Sequence, residues 1–194
     1  GRKALDAIRR LGVSTELVQI DPERPTGTAE VRLAEGGVPT FFLPPGAAYE
    51  FITIGEDEIK KLSNYELFCF GSIVQKARVS RDSLRTILSR VRFDQVFFDV
   101  NIRLGFCPQD VIEDSFAAAT IVKLNDEEVR IISKVLYGSA CTEEGFVRSI
   151  MTDYNIGIVC VTKGKDGCTV YDTHSSKSFS EQAVQVADTV GAGD

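Results

Sequence analysis

The stretch TIVKLNDEEVRIISKVL, residues 120–136, decides the fold because two different periodicities follow each other in it directly. Residues 120–125 form a short apolar run of the kind that makes a buried strand. Residues 126–136 carry apolar side chains at helical spacing and begin with three acidic residues, which the positive end of a helix dipole favours. The stretch therefore predicts a strand followed at once by a helix, the repeating unit of a parallel sheet.

The same alternation recurs on both sides of this stretch. Short apolar runs separated by helix-length amphipathic segments predict parallel strands that are buried on both faces and joined by crossover helices. The predicted fold class is α/β, a doubly wound and mostly parallel sheet, extended by antiparallel edge strands at 168–172 and 179–186. The apolar runs are 66–71, 94–100, 120–125 and 156–162, and the predicted helices cover 56–64, 81–91, 108–119, 126–136 and 143–154.

The residues before the first of these helices show a different sequence pattern. A helix is predicted for 4–12, ending at Gly12, and an extended segment for 16–20. Two runs of β character joined by a glycine turn, within 27–43, predict an antiparallel hairpin. We divide the chain into residues 1–21 as part of the α/β domain, 22–54 as a small β unit and 55–194 as the rest of the α/β domain.

Charge and length limit the classes of protein that fit. The 194 residues are 43% apolar, enough for one sizeable core, and 22 Lys and Arg stand against 28 Asp and Glu. A net charge of −6 gives no electrostatic reason to expect nucleic acid or an anionic membrane as a partner. No apolar stretch approaches the roughly 18 residues of a membrane span and no signal peptide is recognisable, so the expected location is the cytoplasm.

Two further expectations concern the thiols and the chain ends. The cysteines show no CxxC spacing and are predicted to be buried free thiols of a reducing compartment. Because Gly1 is not an initiator methionine and the chain starts on an apparent helix, residues are expected to be missing at both ends. The five cysteines are Cys69, Cys107, Cys141, Cys160 and Cys168.

Polar residues follow the apolar runs, at the edge of the sheet where ligands bind in this class of fold. Asn125 ends one run, with Glu128 on the next helical turn, but Asn125 taken alone is better explained as a helix N-cap. The segment TKGKDG reads as an ordinary turn as readily as a ligand loop. The other candidates at this edge are Asn101 and Arg103 after one run and Thr162, Lys163 and Gly164 after another.

The last residues, DTVGAGD at 188–194, indicate a specific chemistry more clearly than the other motifs do. Three small residues let backbone amides crowd against a ligand, and amides at a helix start can hold the charge of a phosphate. Asp194 would then stand beside the anion and take a proton from an attacking hydroxyl group. The structural alternative is a glycine turn with Asp194 as an N-cap.

Taken in order, PTGTAEV, DVNIR, NDEE, TKGKDG and DTVGAGD resemble the PfkB (ribokinase-like) family of carbohydrate kinases, and most closely its bacterial fructokinases. The resemblance runs over essentially the whole chain. It implies ATP-dependent phosphorylation of a sugar hydroxyl group, most simply that of fructose. The reaction would take place in a cleft between the α/β domain, which binds nucleotide and substrate, and a lid formed by residues 22–54.

The resemblance implies a role for each matching position. Asp194 matches the catalytic base, and Gly191, Ala192 and Gly193 match its anion hole. Asn125 and Glu128 match a pair that organises Mg²⁺ and the phosphates, the glutamate acting through water. The remaining matches are Thr162, Lys163, Gly164 and Gly167 in the nucleotide loop, Asn101, Arg103, Thr26 and Gly27 at the sugar, and Asp188 and Thr189 at a monovalent cation such as K⁺.

Two positions depart from the family pattern. Lys163 stands where many relatives carry an apolar residue, and a lysine there would help to neutralise phosphate. Val190 replaces the commoner threonine. The segments that carry further sugar contacts and the adenine wall in the family have no counterpart in this sequence.

Several alternatives stay open at this point. DxNxR also occurs among 2-keto-3-deoxygluconate kinases, so that substrate and ribose compete with fructose. A non-catalytic ribokinase-like protein with a structural or regulatory role is a further alternative, although the presence of Asp194, Asn125 and Glu128 opposes it. The resemblance also suggests a homodimer formed through the lid, whose apolar side carries Phe41 and Leu43.

Overall fold

The computed structural model describes residues 1–33, 39–103 and 105–180. The chain groups into two compact units. The amino-terminal unit comprises Gly1–Tyr65 and Val74–Arg92, and the sheet unit comprises Glu66–Ile73 and the described part of Phe93–Asp194. The helices that precede and follow the first parallel strand along the chain are thus grouped with the amino-terminal residues. The three-part division made from sequence stays a prediction.

Among its described residues, the amino-terminal unit holds three α-helices, a 3₁₀ turn at Ala48–Phe51 and one hairpin. Helix α1 spans Arg2–Arg10, α2 spans Glu56–Leu62 and α3 spans Arg78–Arg90. The predicted hairpin is present: β1 (Glu30–Leu33) pairs antiparallel with β2 (Pro39–Phe42). Its turn, residues 34–38, lies outside the described residues.

Hydrogen bonds from two buried serines of α3 secure the segment before α2. The hydroxyl group of Ser80 donates to the carbonyl of Tyr49 at 2.8 Å and accepts from the amide of Ile52 at 2.9 Å. The hydroxyl group of Ser83 donates to the carbonyl of Ile52 at 2.8 Å. These contacts satisfy backbone groups that have no ladder partner there.

The extended segment predicted for 16–20 is wrong: these residues form a turn followed by irregular chain, with no strand pairing. The side-chain amide of Gln19 bonds both backbone groups of Thr53, accepting from its N–H at 3.2 Å and donating to its carbonyl. The side chain thus makes the contact that a strand backbone would have made. A run of alternating residues alone does not supply the partner strand that a β conformation needs.

The sheet unit is a six-stranded mixed sheet whose strands lie in chain order. Its first four strands are parallel and its last two are antiparallel, which confirms the predicted mostly parallel α/β fold. The strands are β3 (Leu67–Gly71), β4 (Gln95–Asp99), β5 (Ile121–Asn125), β6 (Ile158–Thr162), β7 (Cys168–Asp172) and β8 (Ser176–Phe179), and the helices are α4 (Gln109–Ala118), α5 (Asp126–Tyr137) and α6 (Glu143–Tyr154).

β8 spans Ser176–Phe179 and so begins three residues before the edge strand predicted for 179–186, of which residues 181–186 lie outside the described residues. The chain reverses early because the carboxylate of Asp172 accepts from the amides of His174 and Ser175, at 2.7 and 2.6 Å. Ladder bonds to β7 use backbone groups, so the polar stretch SSKS can pair as an edge strand.

The two faces of the sheet differ in burial, which corrects the prediction of strands buried on both. Helices α4, α5 and α6 cover one face, where Phe98, Val122 and Val161 are fully buried. Phe98 packs edge-on against Phe116 of α4, with 5.9 Å between ring centroids. On the other face the side chains are half-buried or exposed, among them Phe97, Ile121, Lys123, Ile158 and Cys160.

All five cysteines are free thiols, as predicted, but Cys69 lies on the open face and is exposed and the others are half-buried, so the predicted burial is wrong. Within the described ranges, no helix is long and apolar enough to cross a membrane.

Candidate active site

The site forms where β4, β5 and β6 end, as the sequence predicts for polar residues after parallel strands. Register places Asp99 opposite Lys123 and Asn125 opposite Thr162. The segment after β4, which contains Asn101 and Arg103, is tied to the first turn of α5. Asn125, Glu128, Thr162 and the 101–103 segment therefore lie along one edge of the sheet.

Asn125 and Glu128 form a reciprocal cap at the start of α5. The side-chain oxygen of Asn125 accepts from the amide of Glu128 at 2.8 Å, and the Glu128 carboxylate accepts from the amide of Asn125 at 2.8 Å. The N-cap reading of Asn125 is thus correct, and the pair satisfies two otherwise unpaired helix amides. The cap leaves the side-chain NH₂ group of Asn125 available as a donor.

Glu128 also binds the segment after β4. Its second carboxylate oxygen accepts from the amide of Ile102 at 2.6 Å, and the residue is only 5% exposed. Burial raises the pKa of Glu128 above its ordinary value, although the amides of Asn125 and Ile102 act in the opposite direction. The nearby charge of Asp99 raises the pKa further, and that of Lys123 lowers it.

The donor set at this edge fits a magnesium ion that keeps its waters. Across the described residues, no group of three or more His, Cys, Asp or Glu side chains is arranged to hold a metal. Each carboxylate oxygen of Glu128 retains lone-pair capacity beyond its one amide bond. Mg²⁺ is commonly bound through one or two carboxylates, several waters and substrate phosphates, so Glu128 suits contact through water.

The 101–103 segment turns away from the strand direction at once. Asn101 has φ +41°, a left-handed conformation that asparagine adopts more readily than most residues. Arg103 is exposed, and its carbonyl accepts from the amide of Phe106 at 3.0 Å. The guanidinium group is therefore in a position to meet a solvent-borne anion.

Sequence reasoning missed an ion pair beside this segment. The ammonium group of Lys123 lies 3.0 and 3.1 Å from the two carboxylate oxygens of Asp99, and both side chains are 19% exposed. Charged residues within the otherwise apolar runs QVFFD and IVKLN were the available signal. Their pairing depends on the register of β4 against β5, which a single sequence does not reveal.

The loop after β6 is closed by its own backbone. The amide of Lys163 donates to the carbonyl of Gly167 at 2.8 Å, around a 3₁₀ turn at Gly164–Asp166. Gly164 and Gly167 have φ values of +54° and +83°. At Gly167 a Cβ atom would also lie 1.9 Å from the carbonyl oxygen of Phe179. The chain path therefore accounts for both glycines, and the ammonium group of Lys163 contacts Glu143 and Thr169.

The other predicted site residues belong to the amino-terminal unit or lie outside the described residues. Thr26 and Gly27 belong to the amino-terminal unit, where a Cβ atom on Gly27 would lie 2.7 Å from the Tyr49 ring. Close packing on Tyr49 by itself requires a glycine there. Gly191, Ala192, Gly193, Asp194, Asp188 and Thr189 lie outside the described residues.

Comparison with known proteins gives a family match over the whole chain. The sequence pattern of the family described as pfkB family carbohydrate kinase matches residues 1–194. The fructokinase of Vibrio alginolyticus is 28% identical over 202 residues, covering 100% of this chain and 63% of that protein. The aminoimidazole riboside kinase of Salmonella typhimurium is 25% identical, covering 100% and 61%.

The fold matches as well. The crystal structure of a Vibrio cholerae fructokinase, with fructose, ADP and calcium ion bound, superposes with a TM-score of 0.79 at 26% identity. That match covers 99% of this chain and 62% of the other. The chain thus spans less than two thirds of the length of these relatives.

Replacing Gly167 by alanine should destabilise the protein far more than the same change at Gly138. Both residues have left-handed φ values, +83° and +72°, but Gly138 has open space around the added methyl group. We expect a loss of about 1 kcal/mol for Gly138→Ala and of roughly 3 kcal/mol or more for Gly167→Ala, measured by urea denaturation. Equal losses would contradict the described approach of Gly167 to Phe179.

Replacing Glu128 by glutamine should change how stability depends on pH. A carboxyl group whose pKa is raised by folding binds more protons in the folded state, so its contribution is fully present below the unfolded pKa and is lost as pH rises through the folded one. The free energy of unfolding of the wild type minus that of Glu128→Gln should fall as pH rises from below 4.5, then level off. Denaturant titrations at several pH values measure this difference, and a difference that stays constant or grows contradicts the burial of Glu128.

Proposed function

This chain belongs to the pfkB family of carbohydrate kinases, and from that premise we propose that the protein transfers the γ-phosphoryl group of ATP to a hydroxyl group of a sugar. One observation carries the proposal beyond the family match. Asn125, the buried carboxylate of Glu128 and the segment carrying Arg103 meet at the carboxyl edge of the sheet. Catalysis of this transfer consists chiefly of positioning and charge stabilisation, which such an edge can supply.

In the proposed mechanism Asp194 accepts the proton of the attacking sugar hydroxyl group. The oxygen–phosphorus bond to the sugar forms as the bond to ADP breaks, and the amides of Gly191, Ala192 and Gly193 donate to the oxygens of the transferring group. Asn125 donates its side-chain NH₂ group to a phosphate oxygen, and Arg103 and Asn101 orient the acceptor. Glu128 would hold Mg²⁺ through its water shell, and the ion would supply neutralisation of phosphate charge.

Fructose is the proposed acceptor. The support is the likeness to the fructokinases of Vibrio alginolyticus and Vibrio cholerae, the latter bound to fructose and ADP in its crystal structure. The competing acceptors are 2-keto-3-deoxygluconate and ribose, and the likeness to an aminoimidazole riboside kinase adds a riboside. A non-catalytic role is the weaker alternative, since a protein without catalysis needs none of Asp194, Asn125 and Glu128.

Further parts of the proposal concern ions, assembly and location. Asp188 and Thr189 are proposed to hold a monovalent cation such as K⁺, Thr162 and Gly164 to border the nucleotide, and Thr26 and Gly27 to border the sugar. We also propose that two copies of the protein pair through the β1–β2 hairpin and that the protein is cytoplasmic.

Replacing Asp194 by asparagine in the protein that carries this sequence should lower kcat about a hundredfold or more and leave ATP affinity nearly unchanged. Asparagine keeps the shape of the side chain but does not accept the hydroxyl proton. A coupled assay for ADP and a titration with ATP measure the two quantities.

Asp57→Asn is the matched control, since it removes the same charge from an exposed position on α2. It should leave both quantities unchanged. Near-normal turnover in Asp194→Asn would contradict the assignment of the base.

The choice of acceptor is tested by comparing sugars in the same assay. We expect kcat/KM for fructose to exceed that for 2-keto-3-deoxygluconate, ribose and aminoimidazole riboside by about tenfold or more, since differences in a substrate's polar groups are discriminated strongly. A preference for any of the other three contradicts fructose as the acceptor while leaving the kinase proposal intact. Phosphorylation of none of the four contradicts the kinase proposal.

A further inference from the structure

The ammonium group of Lys163 points to α6 and is bound there. It lies 2.9 Å from a carboxylate oxygen of Glu143, the first residue of α6, and 2.9 Å from the hydroxyl group of Thr169 on β7. The side chains of Lys163 and Glu143 are 30% and 24% exposed. The pair is therefore shielded from solvent more than a typical surface ion pair, and its hydrogen bonds have defined partners.

Neighbouring hydrogen bonds hold this pair in one arrangement. The phenol of Tyr171 donates to the same oxygen of Glu143 at 2.7 Å, and the hydroxyl groups of Thr169 and Ser178 are 3.0 Å apart. Thr169 and Tyr171 are each 5% exposed. Burial and the bond to Glu143 raise the pKa of Tyr171 well above its ordinary value, so the phenol stays protonated and remains a donor.

Lys163 also closes the loop that follows β6. Its backbone amide donates to the carbonyl of Gly167, and its side chain bonds Glu143. Lys163 therefore links the base of the loop to the start of α6. Thr169 pairs with Val161 on the helix-covered face, whereas Thr162 and Asn125 alternate with the buried Val161 and Leu124 and so belong to the other face. The ammonium group of Lys163 thus lies on the helix-covered face, at the start of α6.

We propose that Glu143 is a positioning residue for the nucleotide: with Lys163 it sets the shape of the loop at residues 162–167, and Lys163 itself does not contact phosphate. The inference rests on the proposed function, which places the nucleotide at this loop. It replaces the expectation that Lys163 neutralises phosphate. For Lys163 to reach a phosphate it would have to leave Glu143 as a partly buried carboxylate without its cation, which is unfavourable.

A double-mutant cycle tests this inference in the protein that carries this sequence. Glu143→Gln keeps an acceptor for Tyr171 but removes the charge, and Lys163→Met keeps the length of the side chain but removes the ammonium group. Each single change should weaken binding of Mg²⁺·ATP by about threefold or more, and the double change should be no weaker than the poorer single. The KM for the sugar should stay within about twofold, because the loop acts on the nucleotide and not on the acceptor.

Two controls separate a positioning role from loss of charge or of stability. Glu144→Gln removes a neighbouring exposed charge from the same helix start and should leave ATP binding unchanged. Lys163→Arg restores a cation and should recover ATP affinity. Amide hydrogen exchange at residues 163–167 should speed up in Glu143→Gln and Lys163→Met and stay at the wild-type rate in Glu144→Gln.

The outcomes are distinguishable. Weaker ATP binding in Lys163→Met with no effect of Glu143→Gln would make Lys163 a phosphate ligand and overturn the inference, as would no effect of either change. Coupled losses in ATP binding without phosphorylation of any sugar would support the pair and contradict the proposed function instead. Absence of ATP binding in the wild type would overturn both.

Discussion

The carboxylate of Glu128 is bound by two backbone amides from different segments, one at the end of β5 and one after β4. This contact holds the loop with Asn101 and Arg103 against the first turn of α5, so the carboxyl ends of two neighbouring strands form one surface. Because Glu128 is buried, losing either amide would leave part of a carboxylate unpaired in an apolar setting, which is unfavourable. The arrangement of the whole site edge depends on this one side chain.

The same side chain couples structure to the proposed chemistry. Glu128 uses one lone pair on each oxygen to position backbone, and the remaining capacity faces the edge where phosphates are proposed to bind. The Asp99–Lys123 pair lies beside it. The charge of Asp99 raises the pKa of Glu128, and that of Lys123 lowers it. A carboxylate that is fixed before the ligand arrives costs no reorganisation on binding, and such preorganised groups are the ones that stabilise charge effectively.

The sequence was informative where one segment determines its own structure. Strict helical spacing in α5 and the short apolar runs predicted the elements of the sheet, and the NDEE motif predicted Asn125 as the N-cap of α5 because capping is local. Features that depend on contacts between distant residues were missed. The bond of Glu128 to Ile102, the Asp99–Lys123 pair and the Glu143–Lys163 pair each join separate elements, and only the sheet register and the packing of α6 bring them together.

The predicted strand positions and the predicted burial of the sheet faces differ from the structure for related reasons. The segment 16–20 is rich in apolar residues but joins no strand ladder in the described part of the chain, whereas the mostly polar residues 176–179 pair because the Asp172 turn brings them to the edge of the sheet. One face of the sheet is left half-exposed, although apolar strands suggested burial on both. In each case the tertiary neighbour, which a local pattern does not contain, decided the outcome.

Asp194 is proposed to act on a sugar at the edge organised by Glu128. A crystal structure of the protein with a non-hydrolysable ATP analogue, Mg²⁺ and fructose tests it most directly. We expect the Asp194 carboxylate within about 3 Å of a fructose hydroxyl group, with the γ-phosphate between that hydroxyl and the Asn125–Glu128 edge. A nucleotide bound away from this edge, or Asp194 remote from the sugar, would contradict it.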